Sequence, residues 1–223
     1  MTEARPGAIS FAMSTDAEAL ESLPRPEVPR RAWVLIVALA TVIAAYALAA
    51  LILPTLGAPL VAQRRATMPW SMQAHLAGGA LALALGAWQL NGRLRVRHPA
   101  WHRWVGRSYL AAVGIGGASG LALATRSDEG IVTHLGFGAL AVAWLITTGV
   151  AFAHIRRREV ASHRRWMVRS FALTFAAVTL RTYLPLSFAF GVPFPTAYRV
   201  ISWACWIPNL LFAEWWLRRG SSR

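Results

Sequence analysis

Apolar residues crowd into six windows of this chain, at 32–53, 72–90, 104–125, 131–154, 166–187 and 197–217, and polar residues gather between them. A helix crossing a bilayer needs about 20 mostly apolar residues, so each window is long enough to span. The pattern predicts an all-α, polytopic membrane protein with six transmembrane helices. The fifth window is the least uniform, because Arg181 lies inside it. Ahead of the first window stands a polar segment, residues 1–28, which holds five of the nine acidic residues and ends in PRPEVPRR. It reads as a disordered tail outside the bilayer, and it sets the first apolar run too far from the start for an ordinary cleaved signal peptide. The transmembrane domain is expected over 32–217.

Composition agrees with that pattern. The chain has 223 residues, 56% hydrophobic and 14% charged, a balance foreign to a soluble domain. Its net charge is +14, and every basic residue is arginine. The arginines cluster at the ends of apolar runs, where topology signals belong, so the charge does not point to nucleic acid. Arg25, Arg30 and Arg31 precede the first window. Arg93, Arg95, Arg97, Arg103 and Arg107 follow the second, and Arg156, Arg157, Arg158, Arg164 and Arg165 follow the fourth. Arg218, Arg219 and Arg223 follow the sixth. The alternate connections hold only Arg64 and Arg65, then Arg126 beside Asp128 and Glu129, then Arg199. By the positive-inside rule both termini are expected in the cytoplasm. The single cysteine, Cys205, excludes an internal disulfide and a cysteine-based metal cluster. Tryptophans such as Trp70, Trp88, Trp101, Trp104, Trp166, Trp215 and Trp216 flank the windows as an interfacial belt. No paired carboxylates, HExxH or serine triad is visible, which argues against a hydrolase.

Two pairs of windows resemble each other. HLAGGALALALGAWQL is followed by an arginine-rich loop and WHRWVGRSYLAAV. HLGFGALAVAWLITTG is followed by another such loop and SHRRWMVRSFALTFAAV. This helix-pair repeat builds a four-helix core from helices 2–5 and sets histidines at matching depths. His75 and His134 fall at the outer level, and His102 and His163 at the inner level. The levels are about 15 residues of helix apart, roughly 20 Å at 1.5 Å per residue. Two stacked imidazole pairs are what two b-type haems require. Gly79, Gly106 and Gly138 lie four positions after His75, His102 and His134, on the same helix face, leaving room for a flat ring. Arg107 and Arg169 are candidate partners for haem propionates on the inner side, and Arg181 on the outer side. His154 competes as an inner ligand, and His98 reads as solvated. The bland alternative is that interfacial histidines and packing glycines serve the bundle without a cofactor. Arg181 then either donates to carbonyls near Pro185 or marks a functional site inside the membrane. Glu214 is expected to pair locally with Arg218, four residues on. Gly114-x-Gly116-Gly117-x-x-Gly120 lies inside an apolar helix and reads as a small-residue packing face, not a dinucleotide motif.

The stretch from His75 to Arg181 resembles the bacterial predicted membrane proteins grouped as domain of unknown function 2306. The shared features are the His-x3-Gly start and Gly86-Ala87-Trp88-Gln89 of helix 2, HRWVGRSY, the Trp144 to Thr148 segment, HRRWMVRSFAL and the late Arg181. That resemblance implies no activity. The architecture is also similar to that of the cytochrome b561 family. This second resemblance implies six spans, cytoplasmic termini and two haems, one held by His75 with His134 and one by His102 with His163. The expected function is therefore a dihaem electron carrier working between a quinol or other donor and an acceptor across the membrane. The alternative is a cofactor-free accessory subunit of a larger membrane complex, or a small transporter.

Overall fold

The computed structural model describes residues 28–127 and 129–219. The acidic tail expected to be disordered lies, but for Val28, outside the described residues, as do Asp128 and Arg223. Among the described residues the chain is helical with no strand. α1 covers Arg30–Ile52, α2 Pro59–Thr67, α3 Pro69–Gln89, α4 Gly92–Arg97 and α5 Pro99–Ala124. α6 covers Ile131–Arg156, α7 Val160–Thr174, α8 Ala176–Ala189, α9 Phe194–Ala204 and α10 Ile207–Arg219. Proline opens α2, α3 and α5, where its missing N–H is unneeded and its fixed φ suits the first turn.

α1, α6 and the near-continuous α7–α8 rod are long and apolar enough to cross a membrane. The other three apolar windows fall short of that measure, so the described helices establish three candidate spans where six were expected. α3 and α5 are diluted by glycine, histidine, tryptophan and, in α5, arginine. The last window divides into α9 and α10 because Pro208 lacks an N–H and crowds the carbonyl of Ala204 four residues back. The fifth window bends at Phe175, between α7 and α8. Just before it, the Thr174 hydroxyl donates to the Ser170 carbonyl at 3.0 Å, a back-bond that bends helices.

Small residues set how closely the helices pack. α1 lays Ala40, Ala44 and Ala47 on Leu76, Ala80, Leu83 and Ala87 of α3. Trp33 fastens the far end of that contact by donating to the Ala87 carbonyl at 3.1 Å. α3 meets α5 backbone to backbone: a Cβ on Gly78 would stand 2.6 Å from the amide nitrogen of Gly116. Further along α5, Gly117 lies under Leu145 of α6, and Gly136 of α6 lies under Ser202 of α9. The glycine run of α5 is thus a packing surface toward two neighbours. α2 was not foreseen in the apolar pattern. It returns Arg65 to the end of α1, where the guanidinium donates to the otherwise open carbonyl of Ala50 at 2.7 Å.

Candidate functional site

α3 and α6 run one way through the core, and α5 and α7 run back. His102 and His163 therefore both lie at the arginine-rich end, and His75 and His134 lie toward the opposite end. At the arginine-rich end, His102 is within electrostatic reach of His163 and also of Arg95, Arg164 and Arg103. Burial, reinforced by those cationic neighbours, pushes its imidazole down to about 4, so the ring is neutral at pH 7. His163 donates Nδ1–H to the Ala151 carbonyl of α6 at 2.8 Å. That bond orients the ring and leaves Nε2 as the open nitrogen, the usual arrangement behind a metal-ligating histidine. His154, the competing ligand, is engaged by the Glu159 carboxylate at 2.5 Å.

The opposite pair is arranged differently. His75 donates Nδ1–H to the Gly116 carbonyl at 2.9 Å, and its ring lies where a side chain on Gly120 would stand. Its Nε2 stays open. His134 uses Nε2 instead, on the Ser127 carbonyl at 2.6 Å, and so ties α6 to the loop before it. Ser127 also donates its hydroxyl to Thr133 at 2.6 Å. A haem shared by His75 and His134 needs Nε2 from both rings, and His134 has committed its own to the loop. The glycine spaces at Gly79 and Gly138 are open: a Cβ at either position would meet no atom within 4 Å. Gly106 has only the Gln89 amide oxygen nearby, at 3.8 Å.

The three arginines offered as anion partners have distinct surroundings. Arg107 is exposed. Arg169 forms a two-point pair with Glu214 of α10, at 2.5 and 3.0 Å, while its guanidinium lies 4.7 Å from the centre of the Trp166 ring. Glu214 thus pairs with α7 and not simply with its helix neighbour Arg218: two favourable fork contacts outweigh one local i,i+4 attraction. Arg181 donates to the Ala177 carbonyl of its own helix at 3.0 Å and lies 5.9 Å from the centre of the Tyr46 ring. Its carbonyl partner is therefore one turn before it, whereas the sequence pointed to carbonyls near Pro185, one turn after.

Between the two histidine levels lies a group of residues that spacing alone did not single out. Tyr109 of α5, fully buried, shares hydrogen bonds with Ser170 at 2.7 Å and Thr174 at 2.8 Å, both on α7. Ser170 also bonds the Thr148 hydroxyl at 2.6 Å, and Trp144 donates Nε1–H to Thr174 at 2.8 Å. Every member is satisfied, which makes such a network rigid in a low-dielectric interior. Its members come from HRWVGRSY, from the Trp144 to Thr148 segment, and from HRRWMVRSFAL with the Thr174 that follows it. The signal in the sequence was hydroxyl side chains at mid-depth in three apolar helices.

Apolar helices packed through small residues, with interior polar groups satisfied by one another, define an α-helical membrane protein. The chain belongs to the family of predicted membrane proteins DUF2306, whose family model matches residues 72–217. The match runs from α3 into α10, covers all four histidines and the hydroxyl network, and leaves α1 and α2 outside. No curated protein and no solved structure matches the chain.

Proposed function

We propose that this membrane protein is an electron carrier that holds b-type haem between His102 and His163. The observation that carries this reading is that α5 and α7 bring these two imidazoles within electrostatic reach of each other, with the Nδ1 of His163 tied to a backbone carbonyl. Haem bound there would supply the one-electron chemistry. His102 serves as a ligand because it stays unprotonated. His163 serves because the Ala151 carbonyl fixes its ring. Arg95, Arg103 and Arg164 supply positive charge for carboxylates at that end. Arg169 is engaged by Glu214, so it belongs to the scaffold in this reading. The second haem that the sequence pattern suggests, at His75 and His134, requires His134 to turn away from Ser127. On this reading the arginine-rich end faces the cytoplasm of a bacterial inner membrane, where a quinol or other donor delivers electrons.

A second reading is favoured by the closure of the polar groups around the core. The hydroxyl network, the Arg169–Glu214 pair and the His75 and His134 backbone bonds are all complete without a cofactor. The protein is then a cofactor-free accessory subunit of a membrane complex, or a small transporter using Arg181. An absorption spectrum of the protein purified after expression with ample haem separates the two. The electron-carrier reading expects reducible b-type bands that His102→Ala or His163→Ala removes. Folded, colourless protein overturns it.

A further inference from the structure

A guanidinium inside an apolar helix must be compensated. Arg181 uses one N–H on the Ala177 carbonyl, and its other N–H groups have no hydrogen-bond acceptor among the described residues. The charged or titratable groups that bear on it electrostatically are the phenols of Tyr46 and Tyr198 and the imidazole of His75. No carboxylate is among them. The described carboxylates lie elsewhere: Glu214 on Arg169, Glu159 on His154, and Glu129 in the loop after α5. An isolated cation in a low-dielectric interior is costly unless an anion joins it. The unused N–H groups are also reachable, since the one sealed, unpartnered side-chain nitrogen among the described residues is Nε of Arg65.

The position indicates what could join it. Arg181 is eight residues from the end of α8 at Ala189, about 12 Å along the helix. Tyr46 is six residues from the end of α1 at Ile52, about 9 Å, and is 38% exposed. Both lie on the side of the bundle away from the arginine-rich loops, at a depth between the apolar interior and that rim. His75 is within electrostatic reach of Arg181 from α3, so the surroundings add no negative charge. A planar guanidinium with free N–H groups side by side suits two-point binding of an oxyanion. We propose that Arg181, framed by Tyr46 and Tyr198, receives a phosphate group at this end of the bundle. The phosphate comes either from a phospholipid headgroup or from a soluble anion. This inference is independent of haem binding at His102 and His163.

The test uses the full chain, purified in a neutral detergent and stripped of lipid, and reads the thermal unfolding midpoint. One arm adds phosphatidylglycerol, with phosphatidylcholine as a second lipid that also carries phosphate. Another adds inorganic phosphate, against chloride at equal ionic strength. The wild type should gain in midpoint with at least one phosphate source. Arg181→Gln should lose most of that gain, and Arg181→Lys, which keeps the charge without the fork, should retain part of it. A gain from lipid alone identifies a headgroup, and a gain from inorganic phosphate as well identifies a site for a soluble anion. Should Arg181→Gln not fold, the comparison rests on Arg181→Lys, whose gain must be smaller than the wild type's. No gain in the wild type, or an equal gain in wild type and variants, overturns the proposal. The readout is the same for coloured and colourless protein, so failure of the haem reading does not decide it.

Discussion

Gly78 and Gly79 are neighbours in one helix and should respond to alanine in opposite ways. A Cβ on Gly78 would stand 2.6 Å from the Gly116 nitrogen, 2.8 Å from the Ala112 oxygen and 2.8 Å from the Gly116 Cα. All three are backbone atoms that no rotamer change can move. Ordinary contact begins near 3.4 Å, so α3 and α5 must part by about 0.6–0.8 Å. A gap of that size forfeits roughly a quarter to a half of each affected dispersion contact. Overpacking of this kind costs about 1–3 kcal/mol, against a helix-propensity gain of up to about 1 kcal/mol. A Cβ on Gly79 meets nothing within 4 Å, so only the gain remains. Gly79→Ala should therefore be neutral or stabilising, and more stable than Gly78→Ala by the overpacking term alone, about 1–3 kcal/mol, because the propensity gain is common to both. Equilibrium unfolding in mixed micelles, followed by far-UV circular dichroism, measures both. Equal stabilities would refute the packing argument. Loss of haem absorption in Gly79→Ala with stability unchanged would show that a ligand occupies the space beside Gly79.

The hydroxyl network predicts a measurable coupling. Tyr109→Phe removes two hydrogen bonds, yet Ser170 keeps Thr148, and Thr174 keeps Trp144. The loss should be about 1–2 kcal/mol, near the in-membrane average of about 0.6 kcal/mol per bond or somewhat above it. A double-mutant cycle with Ser170→Ala should show coupling, and strict additivity would contradict a shared network. His102 predicts a pH dependence. Its imidazole is held near 4 in the folded protein against 6.5 in the unfolded chain, so the unfolded state binds more protons between those values. Its contribution is complete above pH 6.5 and is lost as pH falls toward 4. The unfolding midpoint should therefore drop over that window, and His102→Gln should flatten the drop; an unchanged profile in the variant argues against it.

Helix content and the small-residue packing were legible because both follow from local rules. Apolar windows predicted α1, α3, α5 and α6 to within a few residues, apart from the extra turn or so at the start of α5, which begins at Pro99 and not at 104. The glycine run in α5 announced close contact. The breaks were less visible. Pro208 gives a local reason for the end of α9, whereas the bend at Phe175 depends on Thr174 turning its hydroxyl back to Ser170. Depth along the bundle was readable for all four histidines, but ring direction was not. One rotation about a helix decides whether His134 faces an interior partner or the Ser127 carbonyl, and spacing does not specify it. The partner of Glu214 was missed for a related reason. A helix neighbour is obvious in the sequence, while Arg169 arrives from 45 positions away through packing of α7 on α10.

The buried hydroxyls also impose an order on how the protein is made. Thr148, Ser170, Trp144 and Thr174 belong to the α6–α7 hairpin, which can complete its own bonds as soon as it inserts. Tyr109 is synthesised first, but its partners lie 61 and 65 positions later. At about 5–20 residues per second, its phenol waits roughly 3–13 seconds for them. During that interval the Tyr109 hydroxyl of α5 lacks the partners it is buried with in the finished bundle, and the arrival of the hairpin locks it in place. The translation rate across the α5–α7 segment thus sets how long the nascent chain spends in its most vulnerable form.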